Sequence, residues 1–114
     1  MRLGHVELFC KDCQRTRDFY VQQLEFEEAE VPGGDCIWLR SDGIEVLLRP
    51  GRQISRFARY DQSPAALVVY VRDLNEVSER LGQSGVEMSE PDGAPYGLTF
   101  RDPDGRWLQA VEGD

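Results

Sequence analysis

Histidine, cysteine and positive charge are all scarce in this sequence. It has one histidine, His5, and three cysteines, and 13 Lys and Arg stand against 21 Asp and Glu for a net charge of −8. An odd cysteine count gives no disulfide framework, which points to a reduced, cytoplasmic chain. The negative surplus argues against a nucleic-acid backbone or an anionic membrane surface as partner, because either would be repelled. Long apolar runs are missing too. None reaches the length of a membrane span, and the N-terminus carries no signal-peptide pattern. At 114 residues and 40 % hydrophobic content, the chain is expected to form one compact domain or two small modules sharing a core.

What is present is a phrase used twice. Phe100-Arg101-Asp102-Pro103-Asp104-Gly105 leads into Arg106 to Val111. Pro103 is barred from a central ladder and Asp-Gly is a strong hairpin signal, so the segment reads strand, tight turn, strand. About sixty residues earlier, Ser41-Asp42-Gly43 leads in the same way into Ile44 to Arg49.

Taken in order, Arg2 to Cys10 alternates as a strand, with Leu3, His5, Glu7 and Phe9 on one face and Gly4, Val6, Leu8 and Cys10 on the other. Asp12 caps a helix over Cys13 to Leu24, striped by Thr16, Phe19, Tyr20 and Leu24. Strands follow at Phe26 to Val31, Cys36 to Arg40 and Ile44 to Arg49, with Pro32 to Asp35 as a turn. Periodicity lapses between Pro50 and Pro64, then the order returns. Ala65 to Val71 is a strand, and Asp73 and Glu76 have capping-box spacing. The helix lined by Leu74, Val77 and Leu81 ends near Gly82 or Gly85. Val86 to Ser89, Tyr96 to Arg101 and Arg106 to Val111 are strands, with a turn at Pro91-Asp92-Gly93. Setting Lys11-Asp12 on Arg72-Asp73 gives an offset of 61. The fold class is therefore α+β: two βαβββ modules, residues 1–50 and 65–114, joined by a connector over 51–64 within one structural domain. That connector, with Arg52, Arg56 and Arg59, reads as a solvated loop with a short helical turn, whose Phe57 and Tyr60 suit a lid or a subunit contact.

Cys10-Lys11-Asp12-Cys13 places a C-x-x-C at a strand-to-helix junction, where a helix N-terminus lowers a thiol pKa. Cys10 falls on the face of Val6 and Leu8, however, which favours two structural cysteines. Cys36 belongs to a separate strand, so the partners of a zinc site are missing.

Gly4-His5-Val6, Asp18-Phe19-Tyr20, Val69-Tyr70-Val71-Arg72-Asp73-Leu74 and Phe100-Arg101-Asp102-Pro103-Asp104-Gly105 together resemble the vicinal oxygen chelate superfamily. That superfamily includes glyoxalase I, bleomycin- and fosfomycin-resistance proteins and extradiol dioxygenases. The resemblance covers essentially the whole chain. It implies that each module forms half of a curved, partly open barrel, with a divalent metal or a ligand in the cleft between them. A full set of the glyoxalase I kind takes one ligand from the first and last strands of each module, and matched here those positions are His5, Glu45, Ala66 and Gln109. Ala66 has no donor, and Gln109 offers a neutral amide oxygen where a carboxylate is usual. If Zn, Ni, Mn or Fe binds, the resemblance assigns it to His5, Glu45 and Gln109, with Glu45 or Glu7 as the catalytic proton carrier. The set is incomplete, so no cofactor is expected.

Without a metal the cleft becomes a pocket. Strand parity lines it with His5, Glu7, Phe9, Glu45, Leu47 and Arg49 from the first module. The second module adds Val68, Tyr70, Trp107 and Gln109. Such a wall suits a small organic ligand with a cationic or hydrogen-bonding group. The expected function is a glyoxalase/bleomycin-resistance-like protein that binds a small molecule, in resistance or sequestration. The alternatives are a divalent-metal-dependent lyase or isomerase of glyoxalase I type, and a structural or regulatory dimer with a vestigial cleft. Half-barrels expose sheet edges and apolar faces that must be covered, so a homodimer is expected.

Overall fold

The structure, a computed structural model, describes residues 1–31, 34–52, 56–89 and 97–113. It divides into two compact units, Met1–Ile54 and Ser55–Asp114. The first contains β1 (Val6–Cys10), α1 (Cys13–Gln22), β2 (Glu27–Glu28), β3 (Ile37–Ser41) and β4 (Ile44–Pro50). The second contains β5 (Leu67–Val71), α2 (Leu74–Gln83), β6 (Met88–Ser89), β7 (Gly97–Arg101) and β8 (Trp107–Glu112). Each unit is thus a βαβββ module, as the repeat predicts. The sheets are ordered β1-β4-β3-β2 and β5-β8-β7-β6. In both, the first strand runs parallel to the last and the remaining pairs are antiparallel.

Both helices begin where a carboxylate can satisfy their orphan N–H groups. Asp12 Oδ1 accepts from the Gln14 and Arg15 amides at 3.1 and 3.2 Å, and Asp73 Oδ1 accepts from the Glu76 amide at 3.1 Å. Each cap stabilises its helix by about 1 kcal/mol. Thr16 and Tyr20 are the buried residues of α1, and Val77 and Leu81 those of α2. α1 packs on β2, β3 and β4, and α2 on β7 and β8. The apolar core lies there: Leu8, Cys10, Leu39, Val46 and Leu48 in the first unit, and Phe100, Leu108 and Ala110 in the second. One face of each sheet is thereby spent on a helix, and the alternate side chains are left for the other face.

Two expectations change. β2 and β6 are two residues each, against the longer strands read at Phe26 to Val31 and Val86 to Ser89. At the first of these, the Val31 amide turns back to the Ala29 carbonyl, and this tight bend takes the backbone off the ladder. The connector is solvated as expected at Arg56, Ala58, Arg59, Asp61 and Gln62, but it is also tied down. Its expected helical turn is present as a 3-10 turn, Tyr60–Gln62. The Phe57 carbonyl accepts from Arg101 at 2.8 Å and from the Trp107 indole N–H at 3.0 Å, which ties the segment to its own sheet. The expected turns at 32–35 and 91–93, and the strand start at Tyr96, lie wholly or partly outside the described residues.

In the β7–β8 hairpin, Asp102 Oδ1 accepts from the Asp104 and Arg106 amides at 2.9 and 3.0 Å. Gly105 takes φ +83°, and a Cβ there would come within 2.5 Å of the Arg56 guanidinium. The positive φ is what favours glycine here, since the exposed Arg56 side chain could swing aside.

Candidate functional site

On the first sheet, the face opposite α1 is polar and aromatic. Register places Glu7, Leu47 and Trp38 side by side across β1, β4 and β3, and Phe9 beside Arg49. Glu7 is the hub. Its Oε2 accepts from His5 Nε2 at 2.8 Å, and its Oε1 accepts from Arg49 Nη1 at 2.8 Å. These two bonds, His5 first and Arg49 second, hold the Glu7 carboxyl below the usual glutamate range. The same bond raises Arg49 further above its already high value. Because an ionised carboxylate only accepts, the proton of this hydrogen bond sits on His5 Nε2.

The His5 ring meets Trp38 edge-on at 4.8 Å. Arg49 lies over the Phe9 ring at 5.7 Å. Leu47, in register between Glu7 and Trp38, is 9 % exposed and so offers a ligand little surface of its own. Glu45 is exposed, in register with Arg40. Trp38 and Arg40 were not singled out from the sequence. The alternation Cys36, Trp38, Arg40 already places them on one face, and it was the signal that could have found them.

The corresponding face of the second sheet is covered. Register aligns Val68 with Gln109, Thr99 with Gln109, and Arg101 with Trp107. Thr99, Arg101, Trp107 and Gln109 are all buried. The segment from Arg56 to Gln62 lies over them. The Tyr60 hydroxyl is 3.5 Å from Gln109 Oε1, a weak contact. Arg101 is held on four sides: by the Phe57 and Gly105 carbonyls at 2.8 Å, by Glu87 at 2.6 Å, and by the Trp107 ring 3.9 Å below its guanidinium. Glu87 also receives Arg56 at 3.2 Å, and Arg101 chiefly, then Arg56, hold its carboxyl below the ordinary range. Val68 and Tyr70, on edge strand β5, are exposed.

Register bears on the metal positions. β1 pairs with β4 at a separation of 40 residues, as in Glu7 with Leu47, whereas β5 pairs with β8 at 41, as in Val68 with Gln109. The position equivalent to Gln109 in the first unit is therefore Leu47. Glu45 is equivalent to Trp107, one side-chain pair away, or roughly 7 Å along the strand. Equivalent positions thus carry His5, Leu47, Ala66 and Gln109. His5 Nε2 is already bonded to Glu7, whose other oxygen is held by a guanidinium. A divalent ion on that nitrogen would displace its proton and compete with Arg49 for the carboxylate. Among the described residues, no three His, Cys, Asp or Glu side chains cluster as a metal site. This donor set does not fit a resident divalent metal.

Two βαβββ units, each with a helix on one sheet face and polar groups on the other, define the vicinal oxygen chelate class of fold. The chain belongs to the Glyoxalase/Bleomycin resistance protein/Dioxygenase superfamily, whose family model matches residues 2–110. Among solved structures, the fosfomycin resistance protein FosX of Listeria monocytogenes is 20 % identical over 99 % of this chain and 91 % of its own, with a TM-score of 0.82. FosX has also been solved in complex with Mn(II) and a sulfate ion. An antibiotic binding protein from Streptomyces sp. CB03234, TnmS3, is 22 % identical over 100 % of this chain and 99 % of its own, with a TM-score of 0.68. A glyoxylase/bleomycin resistance protein/dioxygenase domain from Frankia sp. EAN1pec is 23 % identical over 100 % and 98 %, with a TM-score of 0.73. At these identities the likeness establishes the fold alone. No curated protein matches the chain.

Proposed function

We propose that this protein binds a small organic molecule without a resident metal, and acts by holding it, in resistance or sequestration. The observation that carries the reading is the face of the first sheet opposite α1, where Glu7 fixes His5 and Arg49 in place beside Phe9 and Trp38. Ordered polar groups next to aromatic surface suit a small ligand, because the cost of immobilising them is met before binding. His5, Phe9 and Arg49 are the binding residues proposed for the first sheet, with Leu47 as the floor between them, and Tyr70 for the second, where the expected Trp107 and Gln109 are instead buried against the segment from Arg56 to Gln62. TnmS3 is an antibiotic binding protein of the same fold, which supports a role in holding a drug-like molecule. We propose further that the two modules make one working domain and that the chain pairs as a homodimer in the cytoplasm. Leu3, Ile44 and Tyr70 are exposed apolar side chains that pairing would cover.

The test is a thermal-shift screen of small molecules together with elemental analysis of protein purified without added metal. A ligand at a hundredfold its Kd stabilises by about 2.7 kcal/mol, which moves Tm by on the order of 10 °C. Such a shift with metal well under one equivalent is expected. A stoichiometric metal lost on His5→Ala would instead favour the glyoxalase-type lyase or isomerase, in which Glu45 or Glu7 is the proton carrier. No shift from any compound would favour a structural dimer with a vestigial cleft.

A further inference from the structure

The groups on the first sheet's face are unequally committed, and the imbalance selects a ligand chemistry. Glu7 has both carboxylate oxygens occupied, one by His5 and one by Arg49, so the central acceptor is spent. Arg49 spends one N–H on Glu7, and among the described residues its remaining donors meet no acceptor. Its side chain stays 48 % exposed, so those donors are open to solvent. The Trp38 indole N–H likewise bonds nothing among the described residues, although the ring is half-buried and braced by His5. Trp38 pairs with Leu47, and Arg49 lies two residues further along the same strand, so both donors rise from one face. Glu45, the remaining carboxylate, sits in register with Arg40, so that end of the face carries balanced charge. Free donors therefore outnumber free acceptors in the region flanked by Phe9 and Trp38.

From this we infer that the ligand of the first sheet is a planar aromatic molecule bearing an anionic oxygen group, an aromatic acid. Its ring lies against Phe9 and Trp38, and its oxygens accept from the guanidinium of Arg49 and the indole N–H of Trp38. A guanidinium presents a planar pair of donors to two oxygens, and here it is already oriented by Glu7 and the Phe9 ring. The inference rests on the binding reading above and adds the ligand's class to it. It also reverses the sequence expectation of a cationic group: His5 and Arg49 are 2 and 42 residues from Glu7, and together they use up the carboxylate that would have met a cation.

The experiment compares three probes of similar size, benzoate, benzylammonium and benzyl alcohol, by titration into ¹⁵N-labelled protein. The signal followed is the Trp38 indole N–H, identified by its loss in Trp38→Phe. Benzoate is expected to shift it and to bind at least tenfold tighter than either other probe. Arg49→Leu should abolish that preference, and Arg49→Lys, which keeps the charge and loses the planar fork, should retain part of it. Arg49 is half-exposed, so both variants are expected to stay folded, checked by their melts. Benzylammonium binding as tightly as benzoate would overturn the aromatic-acid assignment while leaving the binding reading intact. Silence at the Trp38 signal with all three probes would overturn the assignment as well, and the wider thermal-shift screen would then decide the binding reading separately.

Discussion

Glu7 and Arg49 stand on neighbouring parallel strands, one side-chain pair out of register, with 2.8 Å between carboxylate and guanidinium. Their side chains remain 32 % and 48 % exposed, so water and salt reach the pair. A double-mutant cycle with Glu7→Gln and Arg49→Met is therefore expected to show a small coupling that vanishes near 1 M salt, where the Debye length is about 3 Å. Coupling that persists in high salt would mean that the pair is shielded from solvent.

Arg101 should behave differently. It is buried at 8 % exposure and satisfies two carbonyls, Phe57 and Gly105, while resting on Trp107. Arg101→Met leaves the Gly105 carbonyl unmatched and the Phe57 carbonyl with the Trp107 indole N–H alone, and a loss of about 2–4 kcal/mol in urea unfolding is expected. The Phe57 segment should loosen with it. In a Trp38→Phe background, where only Trp107 reports, emission should shift to the red. A loss below about 0.5 kcal/mol, the scale of ordinary surface substitutions, would show that the segment is held by other contacts.

The Glu87 carboxyl gives a pH signature of definite sign. Its folded-state pKa lies below its unfolded one, so its contribution to stability is present above about pH 4.3, the ordinary glutamate value. That contribution is lost as pH falls through the lowered folded-state value. Wild type should therefore melt above Glu87→Gln at neutral pH, and the two curves should converge in acid. A gap that widens toward low pH would contradict the assignment.

Much of this could be read from single residues. Asp12 and Asp73 announced their helices because a cap is a local interaction, and the alternation in Val6–Cys10 assigned its faces correctly because a strand's period is fixed. The equivalence of Leu47, rather than Glu45, with Gln109 was missed. An offset of 61 measured at the strand-to-helix junction does not carry through the module: between the Asp-Gly turns at Gly43 and Gly105 it is 62, and the ladders show the same extra residue. Nor could sequence show that Glu7 is doubly bonded, since Arg49 comes 42 residues later. The docking of Phe57 on Arg101 and Trp107 was hidden for the same reason: its partners lie 44 and 50 residues away, and backbone carbonyls carry no sequence signal.

The parallel pairing of first strand with last also sets an order of events during synthesis. The ladder partner of β1 is β4, 40 residues on, and that of β5 is β8, 41 residues on. At 5–20 residues per second, roughly 2–8 s separate the emergence of each first strand from that of its partner. Until then Val6, Leu8 and Cys10 present apolar side chains and an open backbone edge to the surroundings, and Leu67 to Val71 repeat the exposure later. Closing so long a loop comes late and slowly in folding. Slowing translation between Cys10 and Ile44 should therefore lengthen the aggregation-prone interval, whereas a pause placed after Pro50 should give the first module time to close.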